Sequence, residues 1–227
     1  MKRKIMVGCI LLAAFVLWTV LVCVVDVRPV GPEGSRVGFA AINTYVHDQT
    51  GVNFTLYTIT DWLSLVPIVV ALGFGILGLI QWCRRKSLFK VDSSVLMLGG
   101  FYVVVVAVFL FFENIVINYR PVLIEGVLEA SYPSSTTMLV LCVMGSAMVQ
   151  LRLRIKNLLL GRWMSVAVSA FMALMVIGRL LSGVHWLTDI IGGALLSGGL
   201  VAIYDGVVFE EKICWRIIAI LDRCAIM

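Results

Sequence analysis

Three clusters of polar residues interrupt an otherwise apolar chain, and their side chains are of the kinds that handle phosphate. The first is Glu113 with Asn114, Asn118, Tyr119, Arg120 and Pro121. The second runs Ser131-Tyr132-Pro133-Ser134-Ser135-Thr136-Thr137, and the third holds Arg179, Ser182, His185, Trp186, Thr188 and Asp189. Arg120 and Arg179 come from separate segments, and guanidinium forks match the oxygens of a phosphoryl group. A Pro-Ser-Ser-Thr turn that opens a helix offers free backbone N–H groups, a ready anion site. His185 and Asp189 are four apart and share one helical face. The carboxylate can then keep one ring nitrogen protonated while the other attacks or takes a proton. A lone arginine at the end of an apolar run usually snorkels, and a lone histidine is usually a satisfied core group. Three clusters converging on one side favour phosphoryl-transfer chemistry instead.

The elements that must position them are membrane helices. Of 227 residues, 61% are hydrophobic and 14% charged, against roughly 45–50% and 25% in soluble domains. Mean hydropathy is +1.05. Such a composition excludes a soluble enzyme, a coiled coil and a disordered chain. The apolar runs are continuous rather than alternating, which predicts an all-α polytopic protein and not a barrel. Six spans are expected, at about 5–25, 62–83, 93–112, 136–151, 163–181 and 187–208, in a single membrane domain covering 1–227. Residues 26–61 read as an outer loop of turns and a short surface helix, and 209–227 as a tail along the cytoplasmic interface. Six spans put fourteen of the eighteen Lys and Arg residues on one face, leaving Arg28, Arg36, Arg120 and Arg179 on the other. The positive-inside rule makes the basic face cytoplasmic, with both termini, and turns the polar clusters outward. Topogenesis thus accounts for the net charge of +5 without a nucleic-acid partner. No cysteine lies in an outer loop and no CxxC spacing occurs, so neither a disulfide framework nor a zinc site is expected. Gly73-Phe-Gly75-Ile-Leu-Gly78 matches a dinucleotide fingerprint in letters only. It lies inside a span with no preceding strand, and reads as small residues between packed helices.

Gly178-Arg179-x5-His185-x3-Asp189 resembles the third signature of the type 2 phosphatidic acid phosphatase family, Ser-Arg-x5-His-x3-Asp, with Gly178 at the serine. The second, Pro-Ser-Gly-His, corresponds to Pro133-Ser134-Ser135-Thr136, and the first, Lys-x6-Arg-Pro, to Glu113-x6-Arg120-Pro121. Members are six-span lipid phosphatases that share an active site with bacterial acid phosphatases and vanadium haloperoxidases. The resemblance implies a bundle of that type in a plasma membrane; compact loops suit a bacterial one. It implies that His185 is a nucleophile forming a phosphohistidine and that Asp189 orients it. Arg120, Arg179 and Ser134 with Ser135 would hold the phosphoryl oxygens, with no metal and no cofactor.

Two roles do not carry over. The family's phosphate-binding lysine is replaced by Glu113, and the histidine that protonates the leaving group by Thr136, whose hydroxyl is too weak an acid. Glu113, Thr136 and Tyr119 remain as acid–base or pocket candidates. The only other histidine, His47, lies in the first outer loop, and nothing in the sequence brings it to the site. The reading is therefore a phosphatase acting on an isoprenyl or glycerolipid phosphate or diphosphate at the outer leaflet, with good leaving groups favoured. The alternatives are a phospho-head-group transferase on the same scaffold and a non-catalytic lipid-binding or assembly protein.

Overall fold

The computed structural model describes the backbone of residues 2–225 and the side chains of residues 2–210. The helices are α1 (Lys2–Val24), α2 (Ala40–Thr50), α3 (Phe54–Leu63), α4 (Leu65–Arg85), α5 (Ser93–Asn114), α6 (Ser135–Arg154), α7 (Leu158–Leu181) and α8 (Leu187–Ala225). Among the described residues there are six helical stretches long and apolar enough to cross a bilayer: Lys2–Val24, Phe54–Arg85, Ser93–Asn114, Ser135–Arg154, Leu158–Leu181 and Leu187–Glu210. The expected all-α, six-span class is the one found. In hydrocarbon every backbone group must be satisfied within its own helix, and that fixes the secondary structure before any packing is considered. Starts are set by polar side chains that accept from free N–H groups: Asn53 from Leu56, Asp92 from Ser94, Ser134 from Thr137, and Asn157 from Leu159 and Leu160.

The second span begins earlier than expected. Residues 54–61, read as the end of the outer loop, are helical, and Phe54–Leu63 leads into α4 as one stretch of 32 residues. Its Thr58, Thr60 and Asp61 hide it from a hydropathy reading, whereas packing against α7 holds it as a helix; Thr60 is buried there. At the far end the backbone of α8 stays helical to Ala225. The side chains of 211–227, most of the expected interfacial tail, lie outside those described.

Burial orders the bundle. In α6, 61% of the spanning window is enclosed and in α8 44%, against 6% for Phe54–Arg85. α6 and α8 are therefore central, and α4 faces outward. α1 packs most extensively along α8, and Phe15, Leu98, Tyr132, Met138, Cys142 and Tyr204 form the principal core cluster. The Gly73-x-Gly75 pair is not a packing seam. Nothing lies within 4 Å of where a Cβ would stand at either residue, and only Gly78 approaches a neighbour, Val95. At the basic end, Lys4 pairs with Asp205 at 2.8 Å and Arg154 with Asp92 at 3.2 Å. The opposite end holds α2, the chain between α5 and α6, and the α7–α8 turn.

Candidate active site

Asp189 sits in the first turn of α8, but His185 lies in the bend before Leu187, so the two do not share the helical face expected from their spacing; the turn between α7 and α8 brings them together instead. Asp189 Oδ2 accepts from the Trp186 N–H at 3.0 Å, the backward half of a capping box, where a negative charge also suits the helix dipole. Its Oδ1 accepts from Asn118 Nδ2 at 3.3 Å. With its oxygens so held, the carboxylate meets His185 Nδ1 at 3.7 Å. That is beyond hydrogen-bond reach, so it acts on the ring through its charge.

The firmer contact of His185 is to Arg120, whose Nη1 lies 3.2 Å from Nε2. A guanidinium can only donate, so Nε2 is the bare nitrogen and Nδ1 carries the proton. Burial pushes the His185 pKa down to about 4; Asp189 opposes this, and Arg120 and Arg179 press it lower. The ring is therefore neutral at physiological pH, with its lone pair beside a guanidinium. That is the state a nitrogen nucleophile requires.

Each arginine is positioned by a different element. Between Asn118 and Ser131 the chain doubles back as a short hairpin. The Arg120 N–H donates to Glu129 O at 3.0 Å, and the turn closes between Ile124 and Val127. Arg120 Nε also lies 2.9 Å from Glu129 Oε2. Arg179, in the last turn of α7, is only 2% exposed. Its Nη1 reaches Thr60 Oγ1 at 3.4 Å and Asp61 Oδ1 at 3.8 Å, and its guanidinium lies 4.8 Å from the Tyr57 ring centroid. Burying an unpaired charge costs several kcal/mol. One long pair to an exposed carboxylate and a cation–π contact of about 0.5–2 kcal/mol do not offset it. Arg179 is thus a guanidinium with capacity left for an anion. The buried atoms without a hydrogen-bond partner point the same way: they include Arg179 Nε, His185 Nδ1 and His47 Nδ1.

Gly178 has a local reason. A Cβ there would stand 2.8 Å from Thr60 Cγ2, so α3 can approach only a glycine. The hydroxyl beside Arg179 comes from Thr60 on α3.

The other expected residues divide. Ser134 is the N-cap of α6, its Oγ 3.4 Å from Thr137 N, and its N–H donates to Asp189 O at 3.1 Å. That bond ties the starts of α6 and α8 together. Tyr119 takes part through its carbonyl, which accepts from Trp186 Nε1 at 2.7 Å. Ser135 and Thr136 instead line an apolar groove of about 280 Å³ with Val105, Phe109 and Leu139. Glu113 is exposed and lines an adjoining pocket with Phe112 and Ser135. Among the described residues no polar contact joins Glu113, Ser135 or Thr136 to His185 or to either arginine.

Sequence reasoning missed the segment that covers the site. α2 and the chain after it run along the α7–α8 turn. Asn43 donates to Thr188 Oγ1 at 2.9 Å and accepts from Thr188 N at 3.2 Å. Asn53 N donates to Ser182 O at 3.0 Å. Gly183, with φ +68, lies so close that a Cβ would stand 1.9 Å from Gly51 O. Between these contacts His47 packs on Trp186, ring centroids 5.5 Å apart. Asn118 stood in a polar cluster but carried no sign of gripping Asp189. Glu129, Tyr57, Thr60 and Asp61 carried none either, being ordinary loop and helix residues until folding delivers them.

The PAP2 superfamily model matches residues 75–212. No curated protein sequence is similar enough to this chain to count as a relative. Among solved structures it is similar to the transmembrane PAP2 type phosphatidylglycerolphosphate phosphatase from Bacillus subtilis, at 18% identity and a TM-score of 0.58. The likeness covers 91% of this chain and 96% of that one, and at this identity it speaks for the fold. With the family match spanning most of the sequence and all three signature segments, and with six helices long enough to cross a bilayer, the chain is a multi-pass membrane protein that belongs to the PAP2 superfamily.

Proposed function

We propose that the protein is a membrane lipid phosphatase that cleaves an isoprenyl or glycerolipid phosphate or diphosphate at the outer leaflet of a plasma membrane, through a phosphohistidine. The family carries the general activity. The observation that carries the mechanism is the bare Nε2 of His185 held 3.2 Å from Arg120 Nη1, with the undercompensated Arg179 buried in the last turn of the helix that leads into the same bend. His185 Nε2 attacks phosphorus, the bond to the leaving oxygen breaks, and water then displaces the phosphoryl group from nitrogen. Arg120 exchanges its contact with Nε2 for a phosphoryl oxygen, and Arg179 takes a second. Two guanidiniums meet the charge that develops on those oxygens, so the reading requires no metal and no cofactor. The split of basic residues supports the outer leaflet, and the compact loops support a bacterial membrane.

The test is phosphate release by purified protein from a panel of lipid mono- and diphosphates, with and without chelator, beside His185→Ala. Release that survives chelation and disappears in the variant is the expected result. Full activity in His185→Ala would sink the mechanism.

A further inference from the structure

We propose that His47 is the proton-transfer residue of this site, donating to the leaving group and then accepting from the attacking water. The inference rests on the phosphatase reading above and deepens it. The position where the family carries an acid holds Thr136, which lines an apolar groove and makes no polar contact with His185. Glu113, the other candidate, is exposed beside the same groove. The imidazole comes instead from the segment that covers the site. Asn43 pins α2 to Thr188 through two hydrogen bonds, and His47 stands one helical turn further on the same face. There its ring packs on Trp186, the residue next to the nucleophile. The Trp186 indole in turn bonds the carbonyl of Tyr119, the residue preceding Arg120. Asn53 and Gly51 close on Ser182 and Gly183 just beyond, so the segment that carries His47 is docked at both ends. Among the described residues its Nδ1 is buried without a hydrogen-bond partner, so none of them claims it for a structural role.

The chemistry balances. As Nε2 of His185 bonds to phosphorus, the P–O bond to the lipid breaks. The departing oxygen takes a proton from the His47 imidazolium, giving a free alcohol, phosphohistidine and neutral His47. A water then gives His47 its proton as its oxygen attacks phosphorus. The P–N electron pair returns to His185, releasing phosphate and restoring the imidazolium. Burial lowers the His47 pKa below the ordinary imidazole value, with Asp48 opposing. This makes the imidazolium a readier donor, and the charge of a bound phosphate favours its protonation.

The experiment compares native protein with His47→Gln on two substrates. One is a long-chain alkyl monophosphate, whose alkoxide needs a proton to leave. The other is p-nitrophenyl phosphate, whose phenolate does not. General acid catalysis contributes about 10²–10⁴-fold. The ratio of kcat/KM for the alkyl ester to that for the aryl ester is therefore expected to fall about 10²-fold or more in the variant. With the base also removed, hydrolysis of the phosphohistidine slows. The aryl substrate is then expected to give a burst of about one p-nitrophenol per enzyme, which also shows that the variant is folded. An unchanged ratio, or equal loss on both esters without a burst, overturns the role of His47 and leaves the phosphatase reading intact. If native protein and His185→Ala are alike on both esters, the phosphohistidine reading fails and this proposal with it.

Discussion

At the scale of residues, the site is governed by how few contacts Arg179 and His185 are given. Both are buried, and neither is fully compensated by protein. The tautomer argument is open to direct measurement, because the chain has only two histidines. In protein labelled with ¹⁵N-histidine, His185 is expected to stay neutral, with its proton on Nδ1, down to a pH of about 4. A midpoint near the ordinary 6.5 would refute that burial governs it. The folded pKa lies below the unfolded one, so the folded state resists protonation. Stability is full above about 6.5 and declines as pH falls from there toward about 4. In the proposed mechanism Arg120 acts through its planar fork, which lysine lacks. Arg120→Lys is expected to lower kcat/KM about 10²-fold, as for the loss of one transition-state donor, with the helix content seen by circular dichroism unchanged.

At the scale of elements, the difference between expectation and structure is concentrated in residues 26–61. Hydropathy reads them as loop because Asn43, Asp48, Thr58, Thr60 and Asp61 break the apolar pattern. Of these, Asn43 docks α2 on Thr188 at the start of α8, and Thr60 and Asp61 reach Arg179 in the last turn of α7, while Asp48 and Thr58 are exposed. A polar residue written to meet a partner far along the chain looks, locally, like one written to meet water. Gly178 is the counterpart on α7, and its meaning too lies in a neighbour. Gly178→Ser, which restores the residue of the family signature, is expected to destabilise by about 1–3 kcal/mol through overpacking against Thr60. The double variant Gly178→Ser/Thr60→Ala is expected to recover most of that loss. Thermal unfolding in detergent checks both, and additive losses would show that the two side chains do not meet.

At the scale of the whole molecule, the asymmetry of charge implies an orientation that labelling can test. Ser131 is a poor reporter, since it is buried and bonded to Asn118. Val127, 58% exposed in the hairpin turn, and Phe89, 99% exposed at the basic end, are suitable. In a background lacking native cysteines, Val127→Cys is expected to react with an impermeant thiol reagent on intact cells, and Phe89→Cys only after lysis. The reverse pattern would invert the topology and move the site to the cytoplasmic side.

The sequence by itself determined the class of the protein, the number of its spans and the residues of its third signature. The first two follow from local rules, since hydrocarbon demands helices and each needs about twenty apolar residues; the third is a pattern of residue types at fixed spacing, although His185 stands before the first residue of α8, Leu187, and not on its face. The tertiary structure alone decided which groups surround His185. Contacts such as Thr60 with Arg179, Asn43 with Thr188 and His47 with Trp186 join residues more than a hundred positions apart. No local pattern encodes them: the first two are drawn together by the cost of leaving a polar group buried alone, and the third by the packing of two rings.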